Sequence, residues 1–326
     1  MPHPISAERR RVLLASLALA SSPVASLAQS FPARPIRIVV PFPAGGSTDM
    51  VARVLGQKLS ASLGQPVVVD NKPGANMVIG IMDVAKAPAD GHTILYAQTG
   101  IVQNPLLNPN TQYDVFRDFA PVIQVAEATA FFVVPVSVPA QNLKEFFAWA
   151  KTQPNAAFAS TGQGSSTHIY GEMLNQATGL KLTHVPYKGE APIVPDLLAS
   201  RVQCAWCSGL TASQLSKDGK IRVLATTGLK RQPLLPEVPT FAEAGLEGLD
   251  IEGWTAMFVP RATPPAVLAK LASAFDEALK APDVREKMLG AALPPVGGSP
   301  RNFEDVLRRS HTGWKAAIAK TGVRAE

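Results

Sequence analysis

Cysteine is scarce in this chain, which has only Cys204 and Cys207 among its 326 residues. Two cysteines are too few for a disulfide framework, and no second pair of Cys or His residues stands near them to complete a zinc site. They lie in Cys-Ala-Trp-Cys on a segment with a strand pattern, where residues three apart point to opposite faces and bridge poorly. We therefore predict two buried free thiols, with a disulfide as the alternative in an oxidising compartment.

Charge and catalytic motifs are also limited. Charged residues make up 17% of the chain, and its net charge of +6 comes from scattered lysines and arginines, which argues against nucleic-acid binding. The five histidines include no H-x-x-x-H pair, so we expect no metal site. The G-x-S-x-G, G-x-G-x-x-G and P-loop motifs are absent as well. These absences predict a protein without catalysis or a cofactor, with a hydrolase as the remote alternative.

No hydrophobic run in the sequence reaches the roughly 20 residues that a membrane helix needs. The apolar run 12–20 follows three arginines at 9–11 and precedes small residues at 26 and 28. This order of basic, apolar and small residues is typical of a cleaved secretory signal. We predict a signal peptide at 1–28 and export by the Sec or the twin-arginine route, with a disordered basic tail as the alternative.

Strand and helix patterns alternate along the rest of the chain. Branched apolar runs predict buried parallel strands, and apolar residues three or four apart predict helices. The predicted strands are 36–40, 67–70, 93–97, 131–134, 156–159, 182–185, 202–205, 221–226 and 254–259. The predicted helices begin with one capped by Ser47 or Thr48 and ended by Gly64, followed by 78–87, 142–152, 168–178, 192–200, 265–280, 283–289 and 300–320. Such alternation predicts an α/β protein whose mostly parallel sheets are flanked by helices.

The length of the chain predicts two lobes, because 29–326 exceeds one typical domain. The apolar stretches 120–135 and 254–260 are candidate crossings between the lobes. We predict a discontinuous first lobe, 29–127 plus 254–326, and a second lobe, 128–253, inserted into it. In open α/β sheets ligands bind at the carboxyl ends of the strands, so the loops that follow strands are the candidate sites.

The first loop, residues 41–49, joins the first predicted strand to the first predicted helix and reads Pro-Phe-Pro-Ala-Gly-Gly-Ser-Thr-Asp. Adjacent glycines let a ligand approach the backbone closely. The first turn of the helix offers free N–H groups, and the helix dipole adds partial positive charge. The first loop therefore predicts an anion cradle that needs no lysine or arginine, with an ordinary capped turn as the alternative.

A second loop of the same kind, residues 160–168, reads Ser-Thr-Gly-Gln-Gly-Ser-Ser-Thr-His and also joins a predicted strand to a predicted helix. A third loop, residues 185–190, follows the next predicted strand and carries Tyr187. If the lobes face each other across a cleft, two helix N-termini can share one carboxylate.

Six motifs in order give the chain a family resemblance. They lie at 31–49, 69–75, 87–91, 162–168, 184–189 and 234–240. As an ordered set they resemble the Bug/TctC-type solute receptors of the tripartite tricarboxylate transporter class, over almost the whole chain after the signal. The resemblance implies a periplasmic, type II-like, two-lobe "Venus flytrap" fold that closes on its ligand.

The resemblance also implies which residues bind a carboxylate, partly through bound waters. They are Phe42, Ala44, Gly45, Gly46, Thr48 and Asp49 in the first loop, and Gly162, Gly164, Ser165, Thr167 and His168 in the second loop. Tyr187 is expected near the cleft, and Trp254, at a predicted lobe crossing, could line it. Because Asp49 would repel an anion, capping of the helix and direct ligand contact both stay open as its role.

These observations predict an exported receptor that binds a small carboxylate between its lobes. The expected partners are the ligand and the membrane permease subunits of a tripartite tricarboxylate-type transporter, with a sensor-kinase ectodomain as the alternative partner. We expect a monomer that needs no cofactor and no metal. Aliphatic, aromatic and amino-acid carboxylates all remain possible ligands.

Overall fold

The computed structural model describes residues 31–324, in which strands and helices alternate. The predicted signal peptide at 1–28 lies outside the described residues. The strands are β1 (Ile36–Val40), β2 (Val67–Asn71), β3 (Thr93–Gln98), β4 (Phe119–Glu127), β5 (Phe131–Pro135), β6 (Ala157–Ser160), β7 (Thr183–Pro186), β8 (Cys204–Cys207), β9 (Ile221–Thr226) and β10 (Trp254–Pro260). The helices are α1 (Ser47–Leu63), α2 (Val78–Ala85), α3 (Gly100–Leu107), α4 (Val115–Asp118), α5 (Leu143–Ala150), α6 (Ser166–Thr178), α7 (Ile193–Leu198), α8 (Gly209–Lys217), α9 (Pro265–Lys280), α10 (Pro282–Gly290) and α11 (Pro300–Thr321). Between 31 and 324, no helix combines the length and the apolar character that crossing a membrane requires.

The first sheet has the strand order β2-β1-β3-β10-β4. β1 pairs in parallel with β2 and β3, whereas β10 runs antiparallel to β3 and β4. The central strands are buried almost completely, as expected for apolar runs in a sheet that helices cover. α1 packs on β1 and β2, α2 packs on β3, and α9 and α11 pack on β4.

The second sheet repeats this arrangement with the order β7-β6-β8-β5-β9. β6 pairs in parallel with β7 and β8, and β5 is the antiparallel strand between β8 and β9. Each sheet thus has one antiparallel strand in the fourth place. The prediction of an α/β fold with two mostly parallel, helix-flanked sheets is confirmed.

The backbone passes between the sheets twice, once after β4 and once before β10. The predicted crossing at 120–135 contains one strand of each sheet, and the predicted crossing at 254–260 is β10 itself. From these changes of sheet we propose that the lobes are 29–127 plus 254–326 and 128–253.

The two crossings contact each other through their backbones. The N–H of Ala128 donates to the carbonyl oxygen of Gly253 at 2.9 Å. A Cβ atom at residue 253 would lie 1.9 Å from the carbonyl oxygen of Ala128. Because that neighbour is backbone, rotation of a side chain could not relieve the contact, so the close approach requires glycine at this position.

The long helix α11 also joins the two halves of the molecule. It packs on β4 and α3 beside the first sheet and on α6 beside the second. The rings of Tyr170 and Trp314 lie 5.2 Å apart at this contact. The Tyr170 hydroxyl also donates to the carbonyl oxygen of Ile251 at 2.9 Å. The halves are therefore connected by apolar packing as well as by the crossings.

Three helices and one strand are missed by the sequence patterns. α4 has only four residues, and β4 lies almost entirely within the apolar stretch 120–135, which is predicted as a crossing and not as a strand. α3 contains Pro105, a residue that normally ends a helix. α8 has only two leucines, five residues apart, and so lacks an apolar stripe. Cys204 and Cys207 lie on β8 as buried free thiols, as predicted, and burial raises the pKa of both.

Candidate functional site

The first loop leaves the N-terminus of α1 open. Gly46 is the N-cap residue, not Ser47 or Thr48 as predicted, and it offers no side chain to cap the helix. Within residues 31–324, no group accepts a hydrogen bond from the backbone N–H of Ser47 or Thr48. These donors and the dipole of a 17-residue helix form a site suited to an anion.

The structure shows a role for Asp49 beside the two that the sequence leaves open for it. Its side chain is only 6% exposed, and its Oδ2 atom accepts hydrogen bonds from the N–H of Gly45 and from Arg53 Nε, both at 3.0 Å. Hydrogen bonding from Arg53, opposed by burial and assisted by the Gly45 N–H, lowers the pKa of Asp49 to about 2. Asp49 therefore shapes the first loop and carries a neutralised charge. Since Gly45 adopts φ +86° and donates to Asp49, its N–H is not free for a ligand.

Residues at the ends of neighbouring strands hold the rest of the first loop. Arg53 Nη2 donates to Asn71 Oδ1 at 3.2 Å, and Asn71 Nδ2 donates to the carbonyl oxygen of Phe42 at 3.1 Å. Gln98 Nε2 donates to the hydroxyl of buried Thr48 at 3.3 Å. Phe42 is half-buried against the core, whereas Ala44 is exposed.

We expect the Asp49→Asn variant to lose roughly 1 to 3 kcal/mol of unfolding free energy near neutral pH, because the charged acceptor for Gly45 and Arg53 disappears. The pKa of Asp49 is lower in the folded chain than in the unfolded chain. The contribution of Asp49 to the unfolding free energy is therefore present at pH values above its pKa in the unfolded chain. It is lost as the pH falls through its pKa in the folded chain, which is about 2. Urea unfolding of both proteins should show the difference shrinking as the pH falls from about 4 towards 2.

Glu304→Gln is the matched control, since Glu304 forms an exposed (i, i+4) ion pair with Arg308. It should change the unfolding free energy by no more than about 0.5 kcal/mol. If Asp49→Asn were as mild as this control, Asp49 could not be the residue that fixes the first loop.

The second loop presents the N-terminus of α6 in the same way. Ser165 is the N-cap residue, and its hydroxyl accepts from the N–H of His168 at 3.3 Å. In the described part of the chain, no group accepts from the N–H of Ser166 or Thr167. Gly162 and Gly164, at φ +146° and +69°, form the bend that exposes this helix end.

The hydroxyl of Thr167 points into the second loop. It accepts from the N–H of Thr161 at 2.9 Å and lies 2.9 Å from the Ser165 hydroxyl. The side chain of Thr167 therefore stabilises the loop, and its backbone N–H is the group that is free. Of the predicted second-loop residues, Gly164 has its N–H engaged, because it donates to His168 Nδ1 at 3.1 Å.

The structure does not place Trp254 on a cleft surface. Trp254 is fully buried at the start of β10, packs on Phe303 and donates its indole N–H to the hydroxyl of Ser310 at 3.0 Å. Because α11 covers this face of β10, the prediction that Trp254 could line the cleft is corrected.

Tyr187 is half-buried in the third loop. Its hydroxyl donates to Asp196 Oδ2 at 2.7 Å. Burial, together with the neighbouring Asp196 carboxylate, raises the pKa of Tyr187 to about 12. Its hydroxyl is thus committed to Asp196, and only its ring and backbone remain for other contacts.

Gln103 on α3 joins the first half of the molecule to the start of α6. Gln103 is only 2% exposed, and its amide exchanges hydrogen bonds of 2.9 and 3.1 Å with the hydroxyl of Ser166. Beside this contact lies a cleft of about 580 Å³, lined by Asn76, Asn104 and Gly164 among others. The cleft has no charged residue in its lining, and none of the first-loop residues borders it.

One Ser–His pair lies beside the second loop in the described part of the chain. Ser160 Oγ lies 2.6 Å from His184 Nε2, but Ser160 is fully buried and no substrate could reach it. Across residues 31–324, no group of three or more His, Cys, Asp or Glu side chains is placed to hold a metal ion. The free groups at the two helix N-termini are backbone donors, which suit the binding of an anion.

Sequence reasoning misses the supporting residues Arg53, Asn71, Gln98, Gln103, Ser160 and His184. Asn71 and Gln98 end β2 and β3, next to the first loop, so the rule that sites lie at carboxyl ends of strands could have indicated them. Arg53 follows Asp49 by four residues, the helical spacing of an ion pair. No comparable local signal connects Ser160 to His184.

Comparison with known proteins gives matches over nearly the whole chain. The family model described as "Tripartite tricarboxylate transporter family receptor" matches residues 51–323. The "UPF0065 protein in tcbD-tcbE intergenic region" of Pseudomonas sp. (strain P51) is 39% identical over 321 residues, which cover 97% of this chain and 96% of the relative.

Solved structures of similar proteins share the fold, and two of them were solved with acids. Rpa4515 of R. palustris, solved with adipate, is 33% identical with a TM-score of 0.80, covering 90% of this chain and 99% of that chain. The periplasmic binding protein BugD is 33% identical with a TM-score of 0.78, covering 91% and 100%. MatC from Rhodopseudomonas palustris, with bound malate, is 29% identical with a TM-score of 0.77, covering 88% and 100%.

Proposed function

Because this chain belongs to the tripartite tricarboxylate transporter receptor family, we propose that it captures a small carboxylate in the periplasm and delivers it to the membrane permease subunits of such a transporter. The carboxylate binds between the first and second loops. The protein acts as a monomer, and its predicted signal at 1–28 directs its export.

The observation that carries this proposal is the pair of open helix N-termini. Ser47 and Thr48 on α1, and Ser166 and Thr167 on α6, have backbone N–H groups without an acceptor in residues 31–324. A carboxylate has two oxygens that can accept several such hydrogen bonds, directly or through water. Since Arg53 is paired with Asp49, the amides and the helix dipoles supply the attraction for the anion.

Closure of the lobes on the ligand is part of this proposal. The Gln103–Ser166 contact brings the N-terminus of α6 against the first half of the molecule. A ligand favours this closed arrangement only through contacts that the open arrangement lacks. A carboxylate shared between α1 and α6 provides such contacts, because it needs both helix ends at once.

A thermal-shift screen of the purified mature protein tests this function. We expect adipate, malate or another small carboxylate to raise the melting temperature, since a ligand at 100 times its Kd adds about 2.7 kcal/mol of stability. Adipamide, which keeps the carbon skeleton of adipate without its charge, is the control and should have no effect. A screen in which no carboxylate acts, or in which adipamide acts as strongly as adipate, would contradict the proposal.

A further inference from the structure

The second loop lies on a stack of two imidazole rings. The rings of His168 and His184 are 3.7 Å apart and only 7° from parallel. The ring of Phe158, which is fully buried, stacks on His184 at 5.0 Å. His168 is itself buried, at 5% exposure. The stack of these three rings therefore lies directly against the second loop.

The hydrogen bonds around this stack define the protonation state of the His168 ring. Gly164 donates its N–H to His168 Nδ1 at 3.1 Å, so Nδ1 must carry a lone pair and the proton of the neutral ring must be on Nε2. Ser160 Oγ lies 2.6 Å from His184 Nε2 and accepts from the N–H of Gly162 at 3.2 Å. Both glycines of the loop are thus connected to the two rings.

We propose that His168 and His184 are positioning residues that hold the second loop in its binding conformation while both rings are neutral, and that a proton taken up from solvent by His168 releases the loop and its carboxylate. The proposal rests on the proposed function in one respect, that the second loop binds the carboxylate. A proton on Nδ1 of His168 would place two N–H donors face to face. Gly164 would then lose its acceptor, and the bend that exposes Ser166 and Thr167 would lose its support.

The surroundings disfavour a charge on either ring. Burial lowers the pKa of His168, and burial together with the adjacent His168 lowers the pKa of His184 to about 4. α6 packs on β6, which has no titratable residue, on β7, which has only His184, and on α11. The charged residues on or beside these elements include Glu172, Lys181, Lys188, Glu190, Lys315 and Lys320. None of them shifts the pKa of either ring, so no carboxylate is available to stabilise an imidazolium.

Nuclear magnetic resonance of the ¹⁵N-labelled mature protein tests the structural part of this proposal without any ligand. We expect His168 to be protonated at Nε2 alone near neutral pH. On acidification, the amide signal of Gly164 should move with the same midpoint as the His168 ring, below the ordinary histidine value of about 6.5. His184→Asn should raise that midpoint, because it removes the second ring from the stack. A Gly164 signal that does not follow the His168 ring would overturn the proposal.

Titration calorimetry with adipate tests the release. His168→Asn is the matched variant, since its amide oxygen can accept from Gly164 but does not titrate. The affinity of each protein is compared with its own value at neutral pH, so any difference between the two proteins at that pH does not enter the test. At acidic pH the wild type should weaken by about tenfold more than the variant for each pH unit below the His168 midpoint. The protonation of adipate itself affects both proteins equally and cancels in this comparison.

Two outcomes of the calorimetry would overturn the proposal. The first is a pH profile of His168→Asn that parallels the wild type. The second is tighter binding by the wild type in acid, which would mean that the imidazolium attracts the carboxylate. If neither adipate nor any other acid binds at neutral pH, the proposed function fails, and the resonance experiment still decides whether the ring controls the loop.

Discussion

Replacing Gly46 by glutamate should abolish carboxylate binding without unfolding the chain. The backbone at Gly46 is extended, with φ −79° and ψ 171°, so any residue can adopt it. An added Cβ would have Pro43 O as its nearest neighbour, at 3.9 Å. A second carboxylate about 4 Å from the ligand costs roughly 4 kcal/mol at an effective dielectric constant of about 20. The affinity should therefore fall by about two to three orders of magnitude.

Gly46→Gln is the control for this experiment, because it adds nearly the same volume without charge. We expect it to keep most of the affinity, and both variants should melt close to the wild-type temperature. Calorimetry with the acid found in the thermal-shift screen gives the two affinities. Equal affinities of Gly46→Glu and the wild type would exclude the first loop as the carboxylate site.

Gly253→Ala should destabilise the protein strongly, because the new Cβ would lie 1.9 Å from the carbonyl oxygen of Ala128. The two crossings would have to separate, and the hydrogen bond between Ala128 and Gly253 would be strained. We expect a loss of about 1 to 3 kcal/mol or more, as for other overpacked sites. The melting temperature should fall by several degrees.

Gly290→Ala is the matched control for this prediction. Gly290 ends α10, and its φ angle is not positive. A Cβ atom added there would have no neighbour within 4 Å. The replacement should change the unfolding free energy by no more than about 0.5 kcal/mol. If Gly253→Ala melted together with Gly290→Ala, the two crossings would not be in tight contact.

The α/β architecture could be predicted because most of its strands are short apolar runs bounded by turn residues. Ile36–Val40 illustrates this, since its branched residues suit a strand that is covered by helices on both sides. The positions of the first and second loops follow from the same reasoning, because each comes directly after a predicted strand. The helix α3 could not be found in this way, since Pro105 interrupts its pattern and tertiary packing decides its structure.

The hydrogen bonds inside the site could not be predicted, because they depend on contacts between distant segments. The sequence leaves Asp49 as a cap or a ligand contact, and only the structure shows that Gly45 and Arg53 occupy its oxygens. The sequence puts Trp254 at a crossing, but its hydrogen-bond partner Ser310 lies 56 residues away, on the helix that covers it. A sequence pattern locates the end of a strand but does not show what covers it.

The packing of α11 on both α3 and α6 has a consequence for the way this molecule opens. Tyr170 and Trp314 are buried against each other near the middle of α6, whereas Ser166 and Thr167 lie at its free end. If the aromatic contact persists during opening, it is the pivot about which α6 rotates. A small rotation there would move the N-terminus of α6 away from Gln103 and admit a solute, while the apolar contact behind it continues to exclude water.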